Sequence, residues 1–207
     1  MGVVIFMTTP KEGKAQIIEL GLILWVALLT EITSLIIIQI IHDNPNFTGS
    51  LYNVVNFPLG VLLYRRYIDW KQKNLVAALL IILFLIFALT NLFLGGLNGL
   101  NSYTSALAGA GFIIMSITYF YMLIRELPTE SITKLPMFWI STANLIYYSG
   151  IFFLDLMADY LISVMNDSLT SYWQIHNFLG LAFYAILWYG MLLLRSHPLK
   201  RSTTVTR

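Results

Sequence analysis

Apolar residues fall into six long runs along the chain, at about 17–41, 51–67, 74–94, 103–124, 137–157 and 172–194, with short polar stretches between them. A helix rises about 1.5 Å per residue, so roughly 20 apolar residues cross the hydrocarbon core of a bilayer. Most of the runs reach that length. Backbone in lipid must satisfy its own hydrogen bonds, and runs this long and continuous suit helices rather than barrel strands. The pattern predicts an all-α, polytopic transmembrane helix bundle with six transmembrane helices, a single domain over 1–207 that closes on a basic tail at 195–207.

The run at 51–67 is the weakest of the six. Asn53, Asn56 and Pro58 lie between Leu51 and Tyr64, and Pro58 predicts a kink or a freed backbone carbonyl, which neighbouring helices can tolerate. Charge placement decides whether this run spans. The chain has 12 Lys and Arg residues. Lys11 and Lys14 precede the first run, Arg65 and Arg66 close the second, and Lys71 and Lys73 follow it. Arg125 and Lys134 follow the fourth, and Arg195, Lys200, Arg201 and Arg207 follow the sixth. The connections near 42–50, 95–102 and 158–171 hold none. With six spans every basic residue falls on one side, and basic residues of short loops accumulate on the cytoplasmic side. Both termini are therefore expected inside, in a multi-pass protein of the cell inner membrane.

Composition narrows the picture further. The chain is 58% hydrophobic and only 11% charged, against roughly 25% charged in soluble domains, and its mean hydropathy is +0.76. Membrane lipids are its expected partners. A net charge of +2 gives no reason to expect nucleic acid, and zero cysteines remove disulfides, thiol catalysis and cysteine metal sites. Val3–Met7 is too short for a cleavable signal, with its lysines on the wrong side, and Phe6 stands where a myristoylation motif needs Ser or Thr.

An ionisable residue inside a membrane is costly and marks a functional hypothesis. Glu31 lies about 21 Å from the cytoplasmic end of the first run, Asp155 about 27 Å along the fifth, and His176 about 6 Å into the sixth from outside, by helical rise. All three belong to the outer third of the bilayer. Glu19, one turn inside its helix, is expected to face headgroups or water. Asn53 and Asn56 open the second helix, and Asn91 comes late in the third. Asn144, Tyr148, Ile151 and Asp155 share one face of the fifth by their i, i+4, i+7, i+11 spacing. An outward-opening pocket is the expectation, with Asn144 and Tyr148 as floor and Glu31, Asp155 and His176 at the rim. The plain alternative is that these groups are wet helix ends and interhelical glue.

Ser105/Gly109 and Ala106/Ala110 are small-xxx-small pairs, which let helices approach closely within one chain or form a homo-oligomer seam. Tyr64, Tyr67, Trp70, Phe138 and Trp139 on the inner side, and Tyr52, Tyr103, Tyr160, Tyr172 and Trp173 on the outer, read as headgroup belts. The inner halves of the helices read as nearly all Leu, Ile, Val and Phe. No zincin, P-loop or nucleophile-elbow motif occurs, so no catalytic residue, metal site or cofactor is assigned.

Several stretches carry a family resemblance. They are Leu29-Thr30-Glu31, Leu51-Tyr52-Asn53, Asn101-Ser102-Tyr103 and Tyr119-Phe120-Tyr121, followed by Pro136-Met137-Phe138-Trp139-Ile140, Leu145 to Gly150, and Trp173-Gln174-Ile175-His176-Asn177. Together they resemble a group of small integral membrane proteins common in Bacteroidota. The resemblance runs from about Lys11 to Leu194 and implies an inner-membrane helix bundle, but no particular activity. It also implies a further hydrophobic helix ahead of the first run, where this chain carries only Met1–Met7, so the chain departs from the pattern there or lacks its start. The expected role is a non-enzymatic, sensor-like or accessory module whose outer pocket takes a small ligand, ion or lipid. The alternatives are a lipid-acting, hydrolase-like enzyme using Glu31, Asp155 and His176, and an oligomeric transporter or channel subunit.

Overall fold

The computed structural model describes residues 18–42, 46–68, 71–95, 102–126, 131–163 and 170–196. Their regular structure is entirely helical. Helix α1 (Ile18–Ile36) runs on into a π-helical turn at Ile37–Ile41, which His42 ends in the left-handed conformation with φ 57°. There follow α2 (Asn46–Tyr67), α3 (Lys73–Gly95) and α4 (Ser102–Glu126). A short 3-10 turn at Ile132–Lys134 leads into α5 (Pro136–Ser163), and α6 is Thr170–Ser196. Five of these helices are long and apolar enough to cross a membrane, α2 being the exception, which makes the chain an all-helical, multi-pass membrane protein.

Side-chain pairs fix the directions. Arg66, at the end of α2, meets Glu19 at the start of α1, while Ser34 meets Thr48 at 2.7 Å at the other end of that hairpin. Asn91 donates to Thr104 at 2.9 Å across α3 and α4. The Phe120 ring lies edge-on to Phe138 across α4 and α5, and Trp139 meets Tyr189 across α5 and α6. Successive helices are antiparallel. The described Lys and Arg residues that border α2, α3, α4 and α5 consequently gather at one end, hereafter the basic end.

The least apolar helix holds the middle. Helix α2 packs against α1, α3 and α4, and α5 joins α4 to α6. Packing on three sides covers the polar groups that lower its hydropathy, so α2 needs less apolar surface than a helix facing lipid. Helix α3 shows the converse, presenting Leu79, Ile82, Leu83 and Ile86 outward. Pro58 sits within α2 without interrupting it. The helix also starts five residues before the apolar run, because Thr48 and Ser50 are buried among neighbours and hydropathy does not register shielded polar residues.

Glycine lets α2 and α4 approach closely. The Phe112 ring occupies the space a Cβ would fill at Gly60, and the Phe57 ring does the same at Gly111. Phe57 in turn lies 4.2 Å from Phe84, and Phe112 stacks on Tyr148 at 4.4 Å with ring planes 7° apart. Aromatic contacts thus run from α3 through α2 and α4 to α5.

Three expectations are corrected here. Glu19 does not face headgroups or water: it is buried and accepts from Arg66 at 2.8 Å, since a carboxylate packed between helices requires a cation. Tyr64 is no belt residue. It is 1% exposed, bonded to Ser116 at 2.7 Å and to Asn144 at 3.0 Å. These groups, with buried Ser141, also show that the inner halves of the helices are not purely apolar inside the bundle. The aromatic residue Trp70 and the tail beyond Ser196 lie outside the described residues.

Gly111→Ala should lower stability. Phe57 is held by Phe84 and Phe112 and cannot retreat, and overpacking of about 1–3 kcal/mol outweighs the gain of up to about 1 kcal/mol in helix propensity. Reversible denaturation of purified protein in detergent measures the difference, with a net loss of about 1 kcal/mol expected.

Candidate functional site

At the end opposite the basic residues, the helices enclose a cavity of about 410 Å³. Its walls come from the second half of α1, the first turns of α2 and α4, the stretch of α5 from Tyr147 to Asp155, and the stretch of α6 from His176 to Tyr184. Helices α1 and α6 are not closely packed against each other, and the cavity occupies the space this leaves. Volumes of this size hold small molecules.

Of the predicted site residues, Glu31, Asn53, Tyr148, Asp155 and His176 all line this cavity. Asp155 is buried and accepts from the Ser105 hydroxyl at 2.5 Å. His176 meets the Tyr147 hydroxyl through Nε2 at 3.2 Å. Glu31 makes no hydrogen bond among the described residues and is exposed to the cavity side. It lies within electrostatic reach of Tyr52, Tyr184 and His176. Among the described residues it does not bond Asn53 or Asn56, the asparagines on the neighbouring helix α2.

Asn56 and Asn144 lie deeper. Asn56, 2% exposed, donates to the Tyr148 hydroxyl at 2.9 Å, and Asn144 donates to Tyr64. Both line a second, much smaller void of about 20 Å³ under the main cavity, a space on the scale of one water molecule. Tyr52, Tyr148 and Phe183 line both voids, and Phe112 stacks on Tyr148 at the smaller one. Asn91 bonds across the α3–α4 seam and takes no part in the lining.

Other lining residues carried no functional signal in the sequence. Tyr52, read as a belt aromatic, faces the cavity, as do Ser105 and Tyr147. Ser34 and Thr48 close the wall between α1 and α2 with their own bond. The i, i+3 relation of Ser102 to Ser105 on α4 places both on one face and is the one spacing that pointed there. The small-residue stripe on α4 is used within the chain: Ser105 binds Asp155, Gly109 lies against Tyr148, and Ala106 is buried.

No set of three or more His, Asp or Glu residues gathers into a metal-binding group among the described residues. Comparison with family models, with curated proteins and with solved structures gives no match.

Tyr148→Phe should destabilise the bundle by about 1 kcal/mol, because it strands the buried Asn56 amide. Adding Asn56→Leu should restore most of that loss, since both partners are then apolar. Denaturation midpoints of the single and double variants provide the check.

Proposed function

We propose that this chain is a six-span protein of the cytoplasmic membrane, termini inside, whose outward cavity binds a small ligand as part of a sensor-like or accessory role. The observation that carries the ligand reading is the cavity of about 410 Å³ with Glu31, an acidic group without a hydrogen-bond partner among the described residues, on its wall. A carboxylate left unpaired inside a membrane protein costs several kcal/mol, and a site that retains one has a use for it.

Two features support α2 as the sixth span. Its 22 residues rise about 33 Å, enough for the hydrocarbon core. Packing on three sides also relieves it of the apolarity a lipid-facing helix needs. With α2 spanning, the basic end faces the cytoplasm and the cavity faces out. The resemblance to Bacteroidota membrane proteins fits the same address.

One observation favours a second reading, a transporter subunit. Below the cavity the buried bonds of Asn144, Tyr64 and Ser116 carry polar groups toward the basic end. Tyr148, with Phe112 stacked on it, lines the cavity on that side, so transport would require these rings to move.

Topology is testable directly, because the chain has no cysteine of its own. His42→Cys and Lys71→Cys place single thiols at exposed positions near opposite ends of the bundle. In intact cells a membrane-impermeant maleimide should label position 42 and spare position 71 until the cells are permeabilised. Labelling of position 71 in intact cells would rule the topology out.

A further inference from the structure

The charged side chains of the cavity lining are acidic. Glu31 and Asp155 reach it from α1 and α5 beside the imidazole of His176, and no Lys or Arg lines it. Every described Lys and Arg lies at the other end of the bundle, where Arg66 is paired with Glu19. Anions are therefore disfavoured, because in a low-dielectric cavity two carboxylates repel a third.

The two carboxylates do not converge into a metal site. Together with the other described His, Asp and Glu residues they form no group suited to an ion. A small inorganic cation also needs a tight shell of oxygen ligands, whereas this cavity is wide. Glu31 shares the cavity with aromatic side chains instead. Tyr52 and Tyr184 line it together with Glu31. Tyr147 and Phe183 continue the wall, their ring centroids 4.8 Å apart, and Phe183 meets Tyr184 at 5.3 Å.

Aromatic faces around a carboxylate are the chemistry that holds an organic ammonium: the rings attract the cation through their quadrupoles and shed water with its alkyl groups, while the carboxylate supplies the charge. We infer that the ligand of this cavity is an organic cation, a substituted ammonium seated against Glu31 between Tyr52 and Tyr184. The inference rests on the ligand-binding reading above and names the class of ligand. Asp155, held by Ser105, sets the field of the cavity, whereas Glu31 makes the contact. The ammonium can belong to a soluble molecule or to an aminolipid headgroup entering where α1 and α6 part.

The test uses the full chain in nanodiscs of phosphatidylglycerol, with binding read from intrinsic tyrosine and tryptophan fluorescence. Probes are choline and benzyltrimethylammonium, with 3,3-dimethyl-1-butanol as the uncharged isostere of choline. Both cations should bind saturably, the alcohol should bind about tenfold or more weakly, and Glu31→Gln should weaken the cations by about tenfold or more. Gly49 lines the cavity and has no atom within 4 Å of where a Cβ would stand, so Gly49→Trp should fill the space and abolish binding without disturbing the fold. Repeating the titration with phosphatidylethanolamine in the disc separates the sources. Loss of the cation signal assigns the site to an aminolipid headgroup, and its persistence assigns it to a soluble ammonium. If the alcohol binds as tightly as choline, or Glu31→Gln changes nothing, while Gly49→Trp still abolishes binding, the cation inference fails and the cavity reading stands. If neither the cations nor the alcohol bind, both fall.

Discussion

A polar side chain in a membrane must find its partner inside the protein, and that constraint organises this bundle around α2. Its Asn56, Tyr64 and Thr48 could not face lipid without leaving donors and acceptors unsatisfied. Each is instead bonded to another helix: to Tyr148 on α5, to Ser116 on α4 and Asn144 on α5, and to Ser34 on α1. Those partners require α1, α4 and α5 to stand around α2, which leaves the most apolar helix, α3, to face outward. Glycine completes the arrangement. At Gly60 and Gly111 the absent Cβ atoms admit Phe112 and Phe57, and the two helices close to the distance at which the hydrogen bonds form.

The cavity follows from the same arrangement. The aromatic chain through Phe57, Phe112 and Tyr148 crosses the middle of the bundle, and the cavity lies toward the non-basic end. Polar groups that would otherwise need burial line this space, and Glu31 stands in it unbonded. Basic residues at one end and acidic ones in the cavity at the other give the molecule an electrostatic polarity along its axis.

The helices were legible in the sequence because lipid-facing surface demands long apolar runs: α1, α3, α4 and α6 emerge within a few residues of where the runs place them, and α5 runs six residues past its run. The shared cavity position of Tyr148, Ile151 and Asp155 was legible too, since helical spacing fixes a common face. What could not be read was which polar residues find partners. Tyr64 and Tyr52 have the composition of belt aromatics, and only the tertiary arrangement turns one into a core hydrogen-bond hub, bonded to α4 and α5, and the other into cavity wall. Glu19 was misread for the same reason, as its partner Arg66 lies 47 positions away and meets it only once α1 and α2 pair. Hydropathy likewise started α2 too late, because it scores Thr48 and Ser50 as if they met lipid.

Helix α2 sits in the middle of the bundle, pressed against α4 through reciprocal glycine and phenylalanine contacts. A double-mutant cycle on Gly60 and Phe112 tests it most directly, with unfolding free energies measured in detergent for Gly60→Ala, Phe112→Ala and the pair. If the ring of Phe112 lies on Gly60, truncating it opens room for the added methyl. The double variant should then be more stable than the sum of the singles by about 1 kcal/mol or more. Strict additivity of the two substitutions would mean that the helices do not meet there, and would contradict the account.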